Sequence, residues 1–321
     1  MEKQRGSLSD PVVKTRARKA GERLSAELGA LAPELGAGIL PWIRELARGG
    51  DIDDYFCTGW GYPLLEVPCW MAVAFGVDAE DRFLDDVVYS SVCGYYFIRL
   101  VDDVVDEGSK KATRLLPATA FLHERFQTAY QAYFPPDHGF WRRFRQNWAL
   151  SAESTYRDLS LKSVDLDAFL TISARKTAAA VIPTLAVCEH LGRPDRIEDC
   201  VELCAQLGRI VQMADDLLDW AADAGRAAGR TPSFLLSEAE ARRSAEESAP
   251  SWLRREGISW AMRLCEQWAA KAGALPLVLE VAPLGPMIEK RLSRLRENSK
   301  NLQEMMEVIV SLEAYLPTRG E

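Results

Sequence analysis

Two short segments of this chain repeat one arrangement of carboxylates: Asp102-Asp103-Val104-Val105-Asp106 and Asp215-Asp216-Leu217-Leu218-Asp219. Asp supplies only 21 of the 321 residues, so a second copy of so acidic a pattern argues against coincidence. A charge run is usually a solvated helix face, but helical phase points elsewhere. In the first segment the stripe Leu84, Val88, Ser91, Tyr95, Ile98 leads on to Asp102 and Val105; in the second, Cys204, Gly208 and Val211 lead on to Asp215 and Leu218. Both leading aspartates are therefore expected to face inward, with Asp106 and Asp219 one turn on and on the same side. Stacked carboxylates repel one another, and burial raises the cost. Mg2+ resolves that conflict, because it takes oxygen from one or two carboxylates and fills its shell with phosphate and water. All six aspartates are candidate metal ligands and catalytic residues, and two such clusters facing across a helical bundle would cradle a diphosphate.

Cations placed near these clusters fit the same chemistry. Lys176-Thr177 precedes the second cluster, and the stripe Phe169, Ser173, Lys176, Ala180 turns the ammonium inward, although a lone lysine can also snorkel to the surface. Gln212 stands one turn before Asp215, and Arg99 one turn before Asp102. Arg230, in Gly229-Arg230-Thr231-Pro232, offers a further cation near a helix start.

Helices must carry these groups. Apolar residues recur at three and four almost throughout, and no Asn-Gly or Asp-Gly hairpin turn occurs. The pattern predicts helices over 11–48, 63–76, 80–107, 114–134, 140–160, 165–192, 195–223, 234–247, 251–272 and 284–316. Gly49-Gly50, Pro135-Pro136, Gly192-Arg193-Pro194 and the stretch from Gly225 to Pro232 separate them, and Pro183 predicts a kink inside the sixth. The expectation is an all-α antiparallel bundle with a central active-site cavity, one domain over 1–321, with a leading helical region at 1–48 and a core at about 63–316.

Composition narrows the partners. A net charge of −8 speaks against nucleic acid, whose backbone is held mainly by Lys and Arg. The polar opening Met1-Glu2-Lys3-Gln4-Arg5 lacks a secretory signal, and no apolar run is long enough to span a bilayer. Seven scattered cysteines are not a disulfide framework, and Cys200 and Cys204, one turn apart, read as buried thiols. A reduced, cytoplasmic protein is expected. His123, His138 and His190 are isolated, and each reads as structural or exposed.

The motifs together resemble a known superfamily. Gln212-x-x-Asp215-Asp216-x-x-Asp219, the preceding Lys176-Thr177 and the following Gly229-Arg230-Thr231-Pro232 look like the second half of trans-prenyl diphosphate synthases, members of the class I isoprenoid synthases. Tyr96-x-x-Arg99-x-x-Asp102-Asp103-x-x-Asp106-Glu107 resembles the first motif of the squalene and phytoene synthase branch. The likeness covers about 85–235. It implies the class I isoprenoid synthase fold, an allylic prenyl diphosphate substrate, and three Mg2+ ions held by the two clusters. Lys176 would bind the diphosphate with Thr177 beside it, Arg230 would stand where the family usually has Lys, and Gln212 would lie near the reacting carbon. Members are often homodimers, and the resemblance extends that expectation here.

Departures from the pattern choose among branches. Elongating members hold a second diphosphate, that of isopentenyl diphosphate, through Gly-Lys-Arg near the N-terminal helices and Arg-Arg after the first cluster. Here those regions read Gly61-Tyr62-Pro63-Leu64-Leu65-Glu66 and Asp106-Glu107-Gly108-Ser109-Lys110-Lys111, with Lys110, Lys111 and Arg114 as partial substitutes. Enzymes that ionise one diphosphate and steer the cation want a dry aromatic cavity. Most of the nine Trp, nine Tyr and eleven Phe read as core, with Tyr96 and Phe97 as the cavity candidates. The reading is a prenyltransferase-like terpene synthase taking a C15 or C20 donor. Its rivals are isopentenyl diphosphate elongation, squalene- or phytoene-type head-to-head condensation, and a weakly catalytic subunit that modulates a partner synthase.

Overall fold

The computed structural model describes residues 11–56, 63–78, 81–105, 108–224 and 233–315, and of these all side chains except those of 53–54, 221–224 and 309–315. Helix accounts for about four-fifths of them, and there is no strand among the described residues. The chain is all-α. In chain order the helices are α1 (Pro11–Leu31), α2 (Pro33–Leu46), α3 (Ile52–Phe56), α4 (Glu66–Ala74), α5 (Arg82–Val105), α6 (Lys110–Leu115), α7 (Ala118–Thr128), α8 (Gly139–Asp158), α9 (Leu166–Thr171), α10 (Ile182–His190), α11 (Ile197–Ala224), α12 (Phe234–Arg242), α13 (Ala249–Trp252), α14 (Ile258–Gly273), α15 (Pro276–Glu280) and α16 (Leu284–Tyr315).

Two compact units can be distinguished: Met1–Gln146 with Ala180–Cys200, and Asn147–Ala179 with Val201–Glu321. In the first, α5 packs chiefly against α7 and α1. Its buried Val87, Val88, Val92 and Leu100 share a core with Leu24 and Leu28 of α1 and Leu122 and Phe126 of α7. Gly94 lets α7 approach closely, since a Cβ there would lie 3.0 Å from the Phe126 ring. The α1–α5 contact is polar at its rim: Arg23 donates to Asp86 at 2.6 Å, and the Tyr89 hydroxyl donates to Glu27 at 2.6 Å. In the second unit, Phe169 of α9 stacks on Phe234 of α12 at 4.6 Å and on Trp268 of α14 at 5.7 Å, while α14 packs along α16.

Several sequence expectations change in detail. The single helix expected over 11–48 breaks at Ala32, because Pro33 cannot donate to the preceding turn and instead opens α2. The helix expected over 165–192 is three pieces: α9, a 3-10 segment at Ser173–Val181, and α10. Pro183 lies in the first turn of α10, where its missing N–H costs nothing, so it marks a helix start and not an internal kink. No described helix is long and apolar enough to cross a membrane.

Candidate functional site

The first motif ends α5. The buried stripe of its last turns runs Cys93, Tyr96, Leu100, Asp103, one residue out of step with the stripe expected through Tyr95, Ile98 and Asp102. The cause is that α5 is buried nearly all round through Gly94, so its apolar residues carry little phase information there. Asp103 is only 6% exposed. Its Oδ2 accepts a hydrogen bond from the Trp42 indole N–H at 2.9 Å, and the Arg99 guanidinium lies 2.8 Å from Oδ1 in an ion pair not aligned as a hydrogen bond. Asp102 is half-buried, and Val105, expected inside, is exposed. Asp106 lies outside the described residues.

Around this end of α5 stands an aromatic group. Trp42 meets Tyr96 edge-on at 5.9 Å; Phe56 meets Tyr96 at 5.7 Å and Tyr95 at 5.0 Å. The Tyr55 and Tyr95 hydroxyls share a hydrogen bond. Burial holds the Tyr95 and Tyr96 phenols protonated, far above their ordinary range. Tyr96 is fully buried among these rings, whereas Phe97 is half-buried and tilts against His123 at 5.6 Å.

The second motif, on α11, repeats the first. Met213, Asp216, Leu217 and Trp220 are buried, while Asp215, Leu218 and Asp219 are exposed, again one residue out of step with expectation. Asp216 is 6% exposed and its Oδ2 accepts from the Leu235 backbone N–H at 3.3 Å, in the first turn of α12. A carboxylate there satisfies an orphan donor and favours the positive end of the helix. Gln212 is half-buried one turn earlier. In both motifs, then, the second aspartate is buried and held by named donors, while the leading one is accessible. Exposed carboxylates are stable without a counter-ion, so the burial penalty that called for a cation does not operate at Asp215 and Asp219.

Lys176 and Thr177 sit in the 3-10 segment. The Lys176 ammonium donates to Asp158 Oδ2 at 2.7 Å, and the Thr177 hydroxyl donates to the Ala174 carbonyl at 2.9 Å. Gly208 of α11 packs directly on Thr177, with no space for a Cβ. Lys111, a candidate substitute for the missing arginines, pairs with Glu45. Arg230 lies outside the described residues. Sequence reasoning missed Trp42 and Asp158, and names Ser173 only as a stripe residue: the fold alone ties Trp42 to Asp103 and Asp158 to Ser173 and Lys176.

Among the described residues no three carboxylate, thiol or imidazole groups converge into a metal cluster. The donors present nevertheless suit Mg2+: Asp102 on the first motif and Asp215 and Asp219 on the second are carboxylates that solvent reaches. Mg2+ commonly binds through one or two carboxylates and completes its shell from phosphate and water, so a ready-made cage is not required.

The fold is similar to that of T. brucei FPPS, a farnesyl diphosphate synthase solved in complex with 1-((1H-indol-3-yl)methyl)-N-(3-chlorobenzyl)piperidin-4-amine. The likeness covers 92% of this chain and 97% of that one, with a TM-score of 0.50 and 15% sequence identity, and at that identity it is a likeness of fold. No protein-family model matches the chain, and neither does any curated protein.

Proposed function

We propose that this chain is a Mg2+-dependent enzyme that ionises an allylic prenyl diphosphate of C15 or C20 length and steers the resulting cation to a cyclised or captured product. The observation that carries this reading is the matched pair of motifs. Each presents an accessible leading aspartate beside a buried, anchored one, on helices of a fold shared with a farnesyl diphosphate synthase.

Asp102, Asp106, Asp215 and Asp219 would hold the metal, with Asp103 and Asp216 fixing the two helices that present them. Bound Mg2+ supplies charge neutralisation to the departing diphosphate. Lys176 and Arg230 are proposed to add cations. Thr177 and Gln212 are proposed to line the substrate. Half-buried Phe56, Tyr95 and Phe97, backed by the buried Trp42 and Tyr96, are proposed to give the end of α5 a low-dielectric wall. Ring faces attract a developing carbocation, and a dry wall keeps water from quenching it. We further propose a single catalytic domain that pairs as a homodimer and resides in the cytoplasm.

Chain elongation is the second reading, favoured by the shared fold. Against it stand the missing cations for a second diphosphate and the engagement of Lys111 by Glu45, although an exposed pair of that kind exchanges readily. Incubation with geranyl, farnesyl and geranylgeranyl diphosphates, each with Mg2+ and with or without isopentenyl diphosphate, separates the two. Hydrocarbon or alcohol from a single donor supports the first reading; a longer diphosphate formed only with isopentenyl diphosphate supports the second. Asp102→Ala and Asp215→Ala should each abolish turnover in folded protein, and near-normal activity in either would refute the assignment.

A further inference from the structure

Asp158 breaks a local rule. It is the last residue of α8, where the partial negative charge of the helix terminus disfavours an acid by about 0.3–1 kcal/mol. It is also 8% exposed, where a carboxylate is kept only if it is paired and hydrogen-bonded. Rules broken in this way mark positions kept for something other than stability.

Both oxygens of the carboxylate accept from the segment that carries Lys176. Oδ1 accepts the Ser173 hydroxyl at 2.6 Å, and Oδ2 accepts the Lys176 ammonium at 2.7 Å. Two turns earlier on the same buried face of α8, the Ser151 hydroxyl donates to the Lys176 main-chain carbonyl. Helix α8 thus grips Lys176 at both ends of the residue, backbone and side-chain tip. The segment so held runs as a 3-10 helix for nine residues, against the three or four usual for that form. The tip remains accessible, the side chain being 27% exposed.

We propose that Asp158 is a positioning residue, which aims the Lys176 ammonium at a diphosphate oxygen with Ser173 locking its own carboxylate. The inference rests on the reading of Lys176 as a diphosphate ligand. An unrestrained lysine has four methylenes of freedom and a compact charge that prefers water. Hydrogen bonded to Asp158, its ammonium is confined to one place, and an ammonium has donors enough to meet a carboxylate and a phosphate together. The cost is a negative charge near the diphosphate. A purely electrostatic view therefore predicts that removing Asp158 improves the enzyme, and the positioning view predicts the reverse.

Asp158→Asn decides between them with whichever prenyl donor is turned over. Positioning predicts a fall in kcat on the order of 10–100-fold, the scale of loss for a group displaced by about 1 Å, with KM not raised. In a Lys176→Ala background the same change should have no further effect. Unchanged or higher kcat, or an equal loss with and without Lys176, overturns the proposal. Should Lys176→Ala leave kcat untouched, the assignment of Lys176 as a ligand falls first, and the positioning role with it.

A second measurement needs no turnover. In the wild-type protein, Mg2+ and inorganic pyrophosphate should shield Lys176 from acetic anhydride, read by mass spectrometry. In Asp158→Asn, Lys176 should acetylate several-fold faster, with weaker shielding; Ser173→Ala should move in the same direction by less. Labelling that is identical in all three proteins refutes the grip.

Discussion

Gly208→Ala tests how closely α11 must approach the segment that carries Lys176 and Thr177. A Cβ at 208 would fall well inside van der Waals contact of the Thr177 hydroxyl and 3.4 Å from both Thr177 Cβ and the Ala174 carbonyl. The hydroxyl cannot simply swing away, because it donates to that carbonyl at 2.9 Å on a stiff, β-branched side chain. Overpacking costs about 1–3 kcal/mol, and losing the hydrogen bond about 0.5–1.5 kcal/mol. Replacing a mid-helix glycine returns about 0.8–1 kcal/mol. The expected net loss is therefore about 0.5–3.7 kcal/mol in the wild-type background. In a Thr177→Ala background the offending oxygen is gone, the nearest atoms lie at 3.4 Å, and the same change should be neutral or stabilising by up to about 1 kcal/mol. Urea unfolding of the four proteins measures this reversal of sign. Gly208→Ala should also weaken binding of Mg2+ pyrophosphate by calorimetry. Equal costs in both backgrounds would refute the packing argument.

Three further outcomes follow from the same geometry. Trp42→Phe keeps an aromatic ring, though a smaller one, and removes the N–H bonded to Asp103; the unmet buried acceptor should cost about 1–3 kcal/mol in urea unfolding, with the cavity adding to it; a midpoint equal to wild type would show that the bond contributes nothing. Burial lowers the His123 pKa below 6.5. The unfolded chain therefore takes up that proton first, and the stability it contributes, complete above about pH 7, is lost as pH falls through 6.5 and below. His123→Gln should thus lose less thermal stability than wild type between pH 7 and 5.5, and parallel losses would contradict the burial argument. Burial pushes the Cys93 and Cys265 thiols up to about 12, so neither should react with iodoacetamide in folded protein at pH 8; rapid labelling of either in the native state would contradict its placement.

Much of the scaffold is legible in the chain. Helices α5 and α11 fall within a few residues of the ranges that apolar periodicity predicts, and Gly192 takes a positive φ of 64° where a stop was read. The phase of the two motifs was not legible. Periodicity reports an inside face only where a helix has an outside, and α5 is enclosed for most of its length. What selects Asp103 over Asp102 is a donor 61 residues away on Trp42, a distance no local pattern spans. The same holds for the 3-10 segment: Ser151 and Asp158 hold it through contacts 25 and 18 residues apart in the chain. Cys200 is buried as expected, but its near sulfur is Cys188 at 3.5 Å, across the α10–α11 turn.

A crystal of the protein soaked with Mn2+ and inorganic pyrophosphate would test the central claim most directly. The account predicts anomalous peaks on the carboxylates of Asp102 and of Asp215, with one pyrophosphate contacted through both. Manganese absent from both motifs, or pyrophosphate bound without either, would contradict it.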